Sequence, residues 1–255
     1  MDERVIDVPY WFRSFLVKGI ILNTRPKKSA EAYQKIWWEE GSPLIVLSER
    51  FTEKIKTKTD IPVSLAMRYG SPSIKTGLQE LHDQGVDDVL IVPLYPQFAM
   101  ATTETILVLA AEIQKEFFPK MKLSDIPAFY HREDYIKVLA ESIKAYLADK
   151  DWDKIMFSYH GVPERHIRKS DITKKHCNPA DRSFKCCQIP NETHQYCYKH
   201  RVMKPQEVVP YTEQTIDEFW FLKGVEKLAV VTPAFVADCF RNFRRDWYGK
   251  AKKSF

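Results

Sequence analysis

The sequence predicts an α/β fold in which parallel strands alternate with helices, in two successive units. Three observations carry this reading. Strand-like and helix-like patterns alternate along the chain instead of clustering by type. Residues 89–94 form an almost unbroken apolar run, the pattern of a parallel strand covered on both faces. A polar, acid-rich stretch at 149–153 separates one run of alternation from the next, dividing residues 1–149 from 150–255.

The elements come in this order. Ser42 and Pro43 supply an N-cap and a first-turn proline, and Leu44, Leu47, Phe51 and Ile55 then recur at helical spacing. Residues 62–67 read as a strand. Ser71-Pro72-Ser73 opens a second helix with Ile74, Leu78 and Leu81 on one face, and Gly85 ends it. After the strand at 89–94, Ile106, Leu109, Ile113 and Phe117 mark a third helix, and residues 122–128 a weaker strand. Ile136, Leu139, Ile143 and Leu147 mark a fourth helix, followed by a strand at 154–159. Residues 170–210 show no period. A helix at 212–221 and a strand at 227–232 complete the pattern.

Composition narrows the function classes. A chain of 255 residues, 44% hydrophobic and 29% charged, buries a sizeable core and is not of disordered type. No apolar run reaches the ~18 residues of a membrane span, and Met1-Asp2-Glu3-Arg4 does not read as a signal peptide, so a cytoplasmic location is expected. The net charge of +5 would ordinarily suggest nucleic acid, but residues 240–255 carry six Lys/Arg and one acid, which accounts for the whole excess. No nucleic-acid partner is expected. Glycine numbers only eight and no dinucleotide or P-loop spacing occurs. Of five cysteines, Cys177, Cys186, Cys187 and Cys197 fall close together, which in a reducing compartment reads as free thiols or a metal site before disulfides.

In open α/β sheets ligands bind beyond the carboxyl ends of strands. Four motifs stand there: Arg68-Tyr69-Gly70, Tyr95-Pro96-Gln97-Phe98, Ser158-Tyr159-His160-Gly161 and Thr232-Pro233-Ala234-Phe235. Converging on one cleft, they would line it with aromatic rings, an arginine, hydroxyls and one histidine, a wall suited to a flat apolar ligand with anionic edges. Each residue also has a plainer reading. His160 is either a hydrogen-bonded structural residue or a proton-transfer group titrating near neutral pH. Tyr69 and Tyr95 are packing residues or ligand contacts. Thr102 and Thr103 cap a helix, or that helix N-terminus holds a carboxylate.

These motifs resemble ferrochelatase, the enzyme family that inserts ferrous iron into a porphyrin. The matching stretches are Arg4-Val-Ile-Asp-Val-Pro, Arg25-Pro-Lys-Lys-Ser-Ala-Glu-Ala-Tyr33, Glu40-Gly-Ser-Pro43, Ala66-Met-Arg-Tyr-Gly70, Pro93-Leu-Tyr-Pro-Gln97 with Thr102-Thr103, and Ser158-Tyr-His-Gly-Val-Pro-Glu-Arg-His166. Pro210-Tyr-Thr212 and Phe235-Val-Ala-Asp-Cys239 match as well. The resemblance implies two similar Rossmann-like, chelatase-type lobes with a porphyrin, protoporphyrin IX or coproporphyrin III, held between them and bent so that pyrrole lone pairs are exposed. It implies that His160 contacts the iron and accepts a pyrrole proton. Tyr33, Ser42, Arg68, Tyr69, Tyr95, Gln97, Thr102 and Thr103 match positions lining or supporting the porphyrin pocket. Arg68 would suit a propionate, since a guanidinium pairs bidentately with a carboxylate. Ferrous iron is then a substrate, and the cysteines 177, 186, 187 and 197 are candidate ligands of an iron–sulfur cluster such as some bacterial members carry. A peripheral membrane contact or a homodimer is compatible with the family.

Three departures stand beside the match. Family members open with a strand, a Leu-Gly-Thr-Pro-like turn and a helix, which Met1 follows, so the first lobe is expected to lack its first strand, and a deletion near residue 201 to leave the second lobe incomplete as well. Where the family has Leu-Glu-Thr-Leu-Glu-Glu, whose first glutamate works with the histidine, residues 240–246 read Phe-Arg-Asn-Phe-Arg-Arg-Asp. Codons TTT-AGA-AAC-TTT-AGA-AGA-GAT encode the observed residues and, one base later, give the family's six. Residues 201–207 behave alike: CGT-GTT-ATG-AAA-CCA-CAA-GAA encodes them, and from its third base reads Cys-Tyr-Glu-Thr-Thr-Arg, the family's continuation. A frameshifted tail and a frameshift with deletion near residue 201 are the economical reading, and the chain as written is expected to be poorly soluble and to lack iron insertion. The alternatives are a chelatase for another metal, a module that binds a tetrapyrrole without metallating it, and a fragment without function.

Overall fold

The computed structural model describes residues 2–34, 36–157, 162–163, 166, 169, 202–203 and 226–231. The chain divides into two compact units, the first covering residues 1–129 and the second beginning at Tyr130. That division falls earlier than the boundary read at 149–153, because the helix between the two positions clusters with the later residues.

The first unit begins with a segment that periodicity did not mark. Helix α1 (Tyr10–Phe15) runs into a π-helical stretch, Leu16–Ile21, and then α2 (Leu22–Gln34). The wider π turn breaks the 3.6-residue repeat, and Pro26 inside α2 lacks the N–H that its turn would use. Asn23, just after the π-helical stretch, donates from Nδ2 to the carbonyls of Gly19 at 2.9 Å and Lys18 at 3.1 Å.

Helix α3 (Pro43–Lys56) starts where Ser42 and Pro43 place it, with Ser42 extended (φ −65°, ψ 124°) although its hydroxyl makes no capping bond. Its buried residues are Pro43, Val46, Ser48 and Thr52, while Leu44, Phe51 and Ile55 of the apolar stripe are exposed. Burial of the two hydroxyls is tolerated because each donates to the carbonyl four residues back, Ser48 to Leu44 at 2.7 Å and Thr52 to Ser48 at 2.9 Å.

Helix α4 (Ile74–Asp83) matches its sequence signals. The Ser73 hydroxyl accepts from the Thr76 N–H at 3.1 Å, Ile74, Leu78 and Leu81 are buried, and Gly85 follows at φ 77°. Strand β1 (Asp88–Ile91) pairs in parallel with β2 (Lys122–Asp125), Val89 opposite Leu123. Helix α5 (Thr105–Phe117), entered through a π-helical turn at Met100–Glu104, crosses between them. Ile74, Leu78, Leu81, Val89, Ala110, Phe118 and Met121 make the core, flanked by Ile106, Leu109 and Ile113.

Two strand expectations are corrected here. The run at 89–94 is a strand only to Ile91, with one face covered: Val89 is buried, whereas Leu90 and Val92 are exposed. Side chains alternate across a strand, so a continuous apolar run requires cover on two sides, and the described residues supply it on one. Residues 62–66 form no ladder among the described residues, and the one bridge there is Met67 with Ser73.

In the second unit, α6 (Glu133–Leu147) opens with Glu133 and Asp134 at its positive end. Strand β3 (Lys154–Phe157) pairs in parallel with a later strand at Leu228–Val231, and a short parallel pair joins β4 (Val162–Pro163) to β5 (Val202–Met203). Counted in chain order, the strand at Leu228–Val231 is β6. Asp153 sets the β3–β6 register: its carboxylate accepts from the backbone N–H groups of Glu226 at 3.0 Å and Lys227 at 2.8 Å. The small parallel sheets with intervening helices are those of an α/β fold. The helix expected at 212–221 lies outside the described residues.

Candidate functional site

The sequence signal that best survives in three dimensions is the pairing of Arg68-Tyr69-Gly70 with the entry to α5. Gly70, at φ 87°, takes a backbone conformation that side chains disfavour, and it turns the chain immediately after the two candidate residues. Arg68 reaches the first residue of α5. Its Nε donates to the Thr105 hydroxyl at 2.8 Å and to the Thr105 carbonyl at 3.1 Å. Its Nη2 donates to Asp2 Oδ2 at 3.0 Å. The guanidinium carbon lies 4.6 Å from the centroid of the Tyr69 ring, a cation–π contact that leaves the ring's other parts well exposed.

Asp2 is the hub of this group. Oδ2 accepts from Arg68 and from the hydroxyl of Thr105, and Oδ1 accepts from the backbone N–H of Arg4 at 2.9 Å and from Arg4 Nη1 at 3.3 Å. Arg4 Nε in turn donates to Glu104 Oε1 at 3.2 Å. Burial alone would raise the Asp2 pKa, but the hydrogen bonds from Thr105, Arg4 and Arg68, with the Arg4 charge, outweigh it and lower the value from 3.8 to about 2. The side chain of Asp2 is 14% exposed, and Thr105 is 1% exposed. The donor and acceptor roles close consistently, since the Thr105 hydroxyl donates to Asp2 and accepts from Arg68.

The remaining candidates are more scattered. Thr102 and Thr103 lie on the π-helical turn one step before Thr105. Thr102 donates to the Ala99 carbonyl at 3.3 Å, and Thr103 is buried with no partner for its hydroxyl among the described residues. Tyr95 and Gln97 are half-buried about a fully buried Pro96, whose carbonyl accepts from Phe129 N–H at 3.0 Å. Tyr33 stands on the last turn of α2 and is exposed, and Ser42 begins α3. Between them Trp38 and Gly41 form a tight reciprocal bridge of 3.0 and 3.1 Å. His160 and Cys177, Cys186, Cys187 and Cys197 lie outside the described residues. Among the described residues no cluster of His, Cys, Asp and Glu is placed to hold a metal.

Sequence reading missed Asp2, Arg4 and Thr105. The one available hint was that Arg4 opens a matched motif while lying far from any strand end, with Asp2 two residues before it. A cavity of about 460 Å³ lies elsewhere in this unit, beside residues 61–63 and lined also by Lys56, Glu80, Asp83 and Gln84, and it holds none of the candidate residues.

Comparison with known proteins agrees with the motifs. The ferrochelatase family model matches residues 1–242. A ferrochelatase of Pseudomonas syringae pv. tomato is 40% identical, over 94% of this chain and 76% of the relative. One of Ectopseudomonas mendocina is 40% identical with the same coverage, and one of Azotobacter vinelandii is 37% identical, over 94% of this chain and 77% of the relative.

Proposed function

The chain belongs to the ferrochelatase family, enzymes that insert ferrous iron into a porphyrin in heme biosynthesis, and on that premise we propose how its own residues serve that reaction. A porphyrin, protoporphyrin IX or coproporphyrin III, rests against the face built by Arg68, Tyr69, Tyr95, Gln97, Thr102 and Thr103, with Tyr33 and Ser42 contributing from the α2–α3 connection. The observation that supports this is the joining of the 68–70 turn to the start of α5, which puts an exposed tyrosine ring next to buried polar groups. Ferrous iron is the second substrate. Two pyrrole protons must leave as the metal enters, and His160 is the base that accepts one, since a neutral imidazole is a competent proton acceptor near neutral pH.

Residues 240–246 carry no glutamate where the family resemblance places one. The chain as written is therefore expected to bind porphyrin and to metallate it poorly. The test is anaerobic heme formation from protoporphyrin IX and Fe(II), followed in the Soret band. The chain with residues 240–245 changed to Leu-Glu-Thr-Leu-Glu-Glu should form more heme than the chain as written, and His160→Ala in that background should abolish the gain while porphyrin binding persists. Undiminished heme formation by the His160→Ala chain overturns the assignment.

The finer assignments rest on the same premise. The passage from one lobe to the other is assigned to residues 149–153, after α6, although compactness groups α6 with the later residues. Cys177, Cys186, Cys187 and Cys197 are candidate iron–sulfur ligands, and iron and sulfide analysis of anaerobically purified protein tests them. The protein works in the cytoplasm. Tyr10, Trp11, Phe15, Ile20 and Leu22 are exposed on α1, the π-helical stretch and the start of α2, an apolar surface that supports peripheral membrane contact, with homodimerisation as the competing use of it. Among the described residues no helix is long and apolar enough to cross a membrane.

A further inference from the structure

We propose that Asp2 is the positioning residue of this face, holding Arg68 as a structural strut between the 68–70 turn and the start of α5 and not as a ligand for a porphyrin propionate. The inference deepens the porphyrin-binding reading and rests on it.

The geometry of the guanidinium carries the argument. Arginine offers carboxylates either its side-on edge, Nε with Nη2, or its end-on edge, Nη1 with Nη2. In Arg68 the side-on edge is occupied: Nε goes to Thr105 at 2.8 Å and Nη2 to Asp2 at 3.0 Å. A propionate is left with the Nη1 side of a cation whose charge Asp2 already neutralises. The surrounding charges balance as well, since Arg4 pairs with both Asp2 and Glu104. The cluster therefore presents no net positive charge to an anionic edge.

What the cluster does is fix orientation. One carboxylate oxygen, Asp2 Oδ2, touches both Arg68 and Thr105, which are 37 residues apart in sequence. Tyr69 stacks on the guanidinium so held, and Thr102 and Thr103 lie on the turn that Thr105 terminates. Removing the Asp2 charge leaves the guanidinium held through Nε on Thr105 alone, and the tyrosine ring and the threonine turn lose the carboxylate that fixes its orientation. The expected effect is on ring-shape recognition, the same for any porphyrin whatever its carboxyl groups.

The test is titration of the full chain with protoporphyrin IX and with its dimethyl ester, followed by tryptophan quenching, in the wild type, Asp2→Asn and Asp2→Glu. Loss of a charge-assisted hydrogen bond at a largely buried site should weaken both ligands by about tenfold, to the same factor, with Asp2→Glu recovering to within about threefold of wild type. Unchanged affinity for both ligands in Asp2→Asn overturns the proposal. So does weakening confined to the diacid, which would make Arg68 a propionate partner. If the wild type binds neither ligand, the functional reading fails, and the strut is then judged by amide hydrogen exchange. Selective loss of protection at residues 66–70 and 99–105 in Asp2→Asn sustains it, and unchanged exchange there overturns it.

Discussion

Replacing Thr105 by valine keeps the volume of the side chain and removes the hydroxyl that joins Asp2 to Arg68. Its cost can be worked from the carboxylate. Asp2 has its pKa lowered from 3.8 to about 2, through bonds from Thr105, Arg4 and Arg68 that outweigh the opposing effect of burial. A folded-state pKa below the unfolded one stabilises above the unfolded value, and that stability is lost as pH falls through the folded value. The linkage is worth roughly 2 kcal/mol at pH 7, and about half of it remains at pH 3. Thr105→Val strips the first of the lowering bonds and leaves Arg68 Nε with the Thr105 carbonyl at 3.1 Å as its one acceptor there. The expected loss is about 2 kcal/mol at pH 7. Urea unfolding of wild type and variant at pH 7 and pH 3 is the assay. The difference between the two proteins should narrow at pH 3, because protonation of Asp2 already costs the wild type part of what the variant lacks, while the Arg4 and Arg68 bonds that the variant keeps limit the narrowing to a fraction of the whole. A difference below about 0.5 kcal/mol at pH 7, the size of an ordinary surface substitution, would refute the reasoning, and so would a difference independent of pH.

Other positions give further expectations. Gly77→Ala would set a Cβ 3.1 Å from Ala66 Cβ, 3.2 Å from Ser64 Oγ and 3.3 Å from the Leu65 carbonyl, displacing the segment that leads to Arg68. A loss of about 1–3 kcal/mol in urea unfolding is expected, with weaker porphyrin binding; a neutral result would show that segment to be free to move. Asp153→Ala removes the acceptor of two solvent-exposed backbone N–H groups and should lower stability by about 0.5–1.5 kcal/mol, with exchange protection lost first along residues 228–231. Nucleotide sequencing across codons 198–210 and 238–255 should show the alternate frame encoding Cys-Tyr-Glu-Thr-Thr-Arg and Leu-Glu-Thr-Leu-Glu-Glu. Codons that cannot yield those glutamates exclude a frameshift.

The legible parts of this fold are those whose determinants lie close together in sequence. Helix α4 is set by Ser73, its capping hydroxyl, by Ile74, Leu78 and Leu81, and by Gly85, all within one short stretch. The parallel pairing of β1 with β2 and of β3 with β6 fits the alternation of elements, yet the register between them is fixed by contacts such as Asp153 with Lys227, which no local pattern announces. The helical segment from Tyr10 to Gln34 was opaque because a π-helical stretch and Pro26 interrupt its period. In α3 the spacing of Leu44, Phe51 and Ile55 located the helix and misjudged its buried side, since back-bonded hydroxyls of Ser48 and Thr52 went inward instead.

The candidate site divides along the same line. Arg68 and Tyr69 were visible as chemistry-bearing residues after an apolar stretch. The carboxylate that governs Arg68 was not, because Asp2 is 66 residues away in the chain and only tertiary structure brings it near. A charged residue in a motif suggests a ligand; its role depends on which of its nitrogens the protein has already used.

Porphyrin binding by the purified chain tests the central claim most directly, with Tyr69→Ala as the comparison. Fluorescence titration with protoporphyrin IX should show saturable binding of one porphyrin per chain, weakened about tenfold when the exposed ring at 69 is removed, as befits an aromatic contact worth about 1.4 kcal/mol. Unsaturable uptake, or equal affinity in Tyr69→Ala, would contradict the placement of a porphyrin against this face.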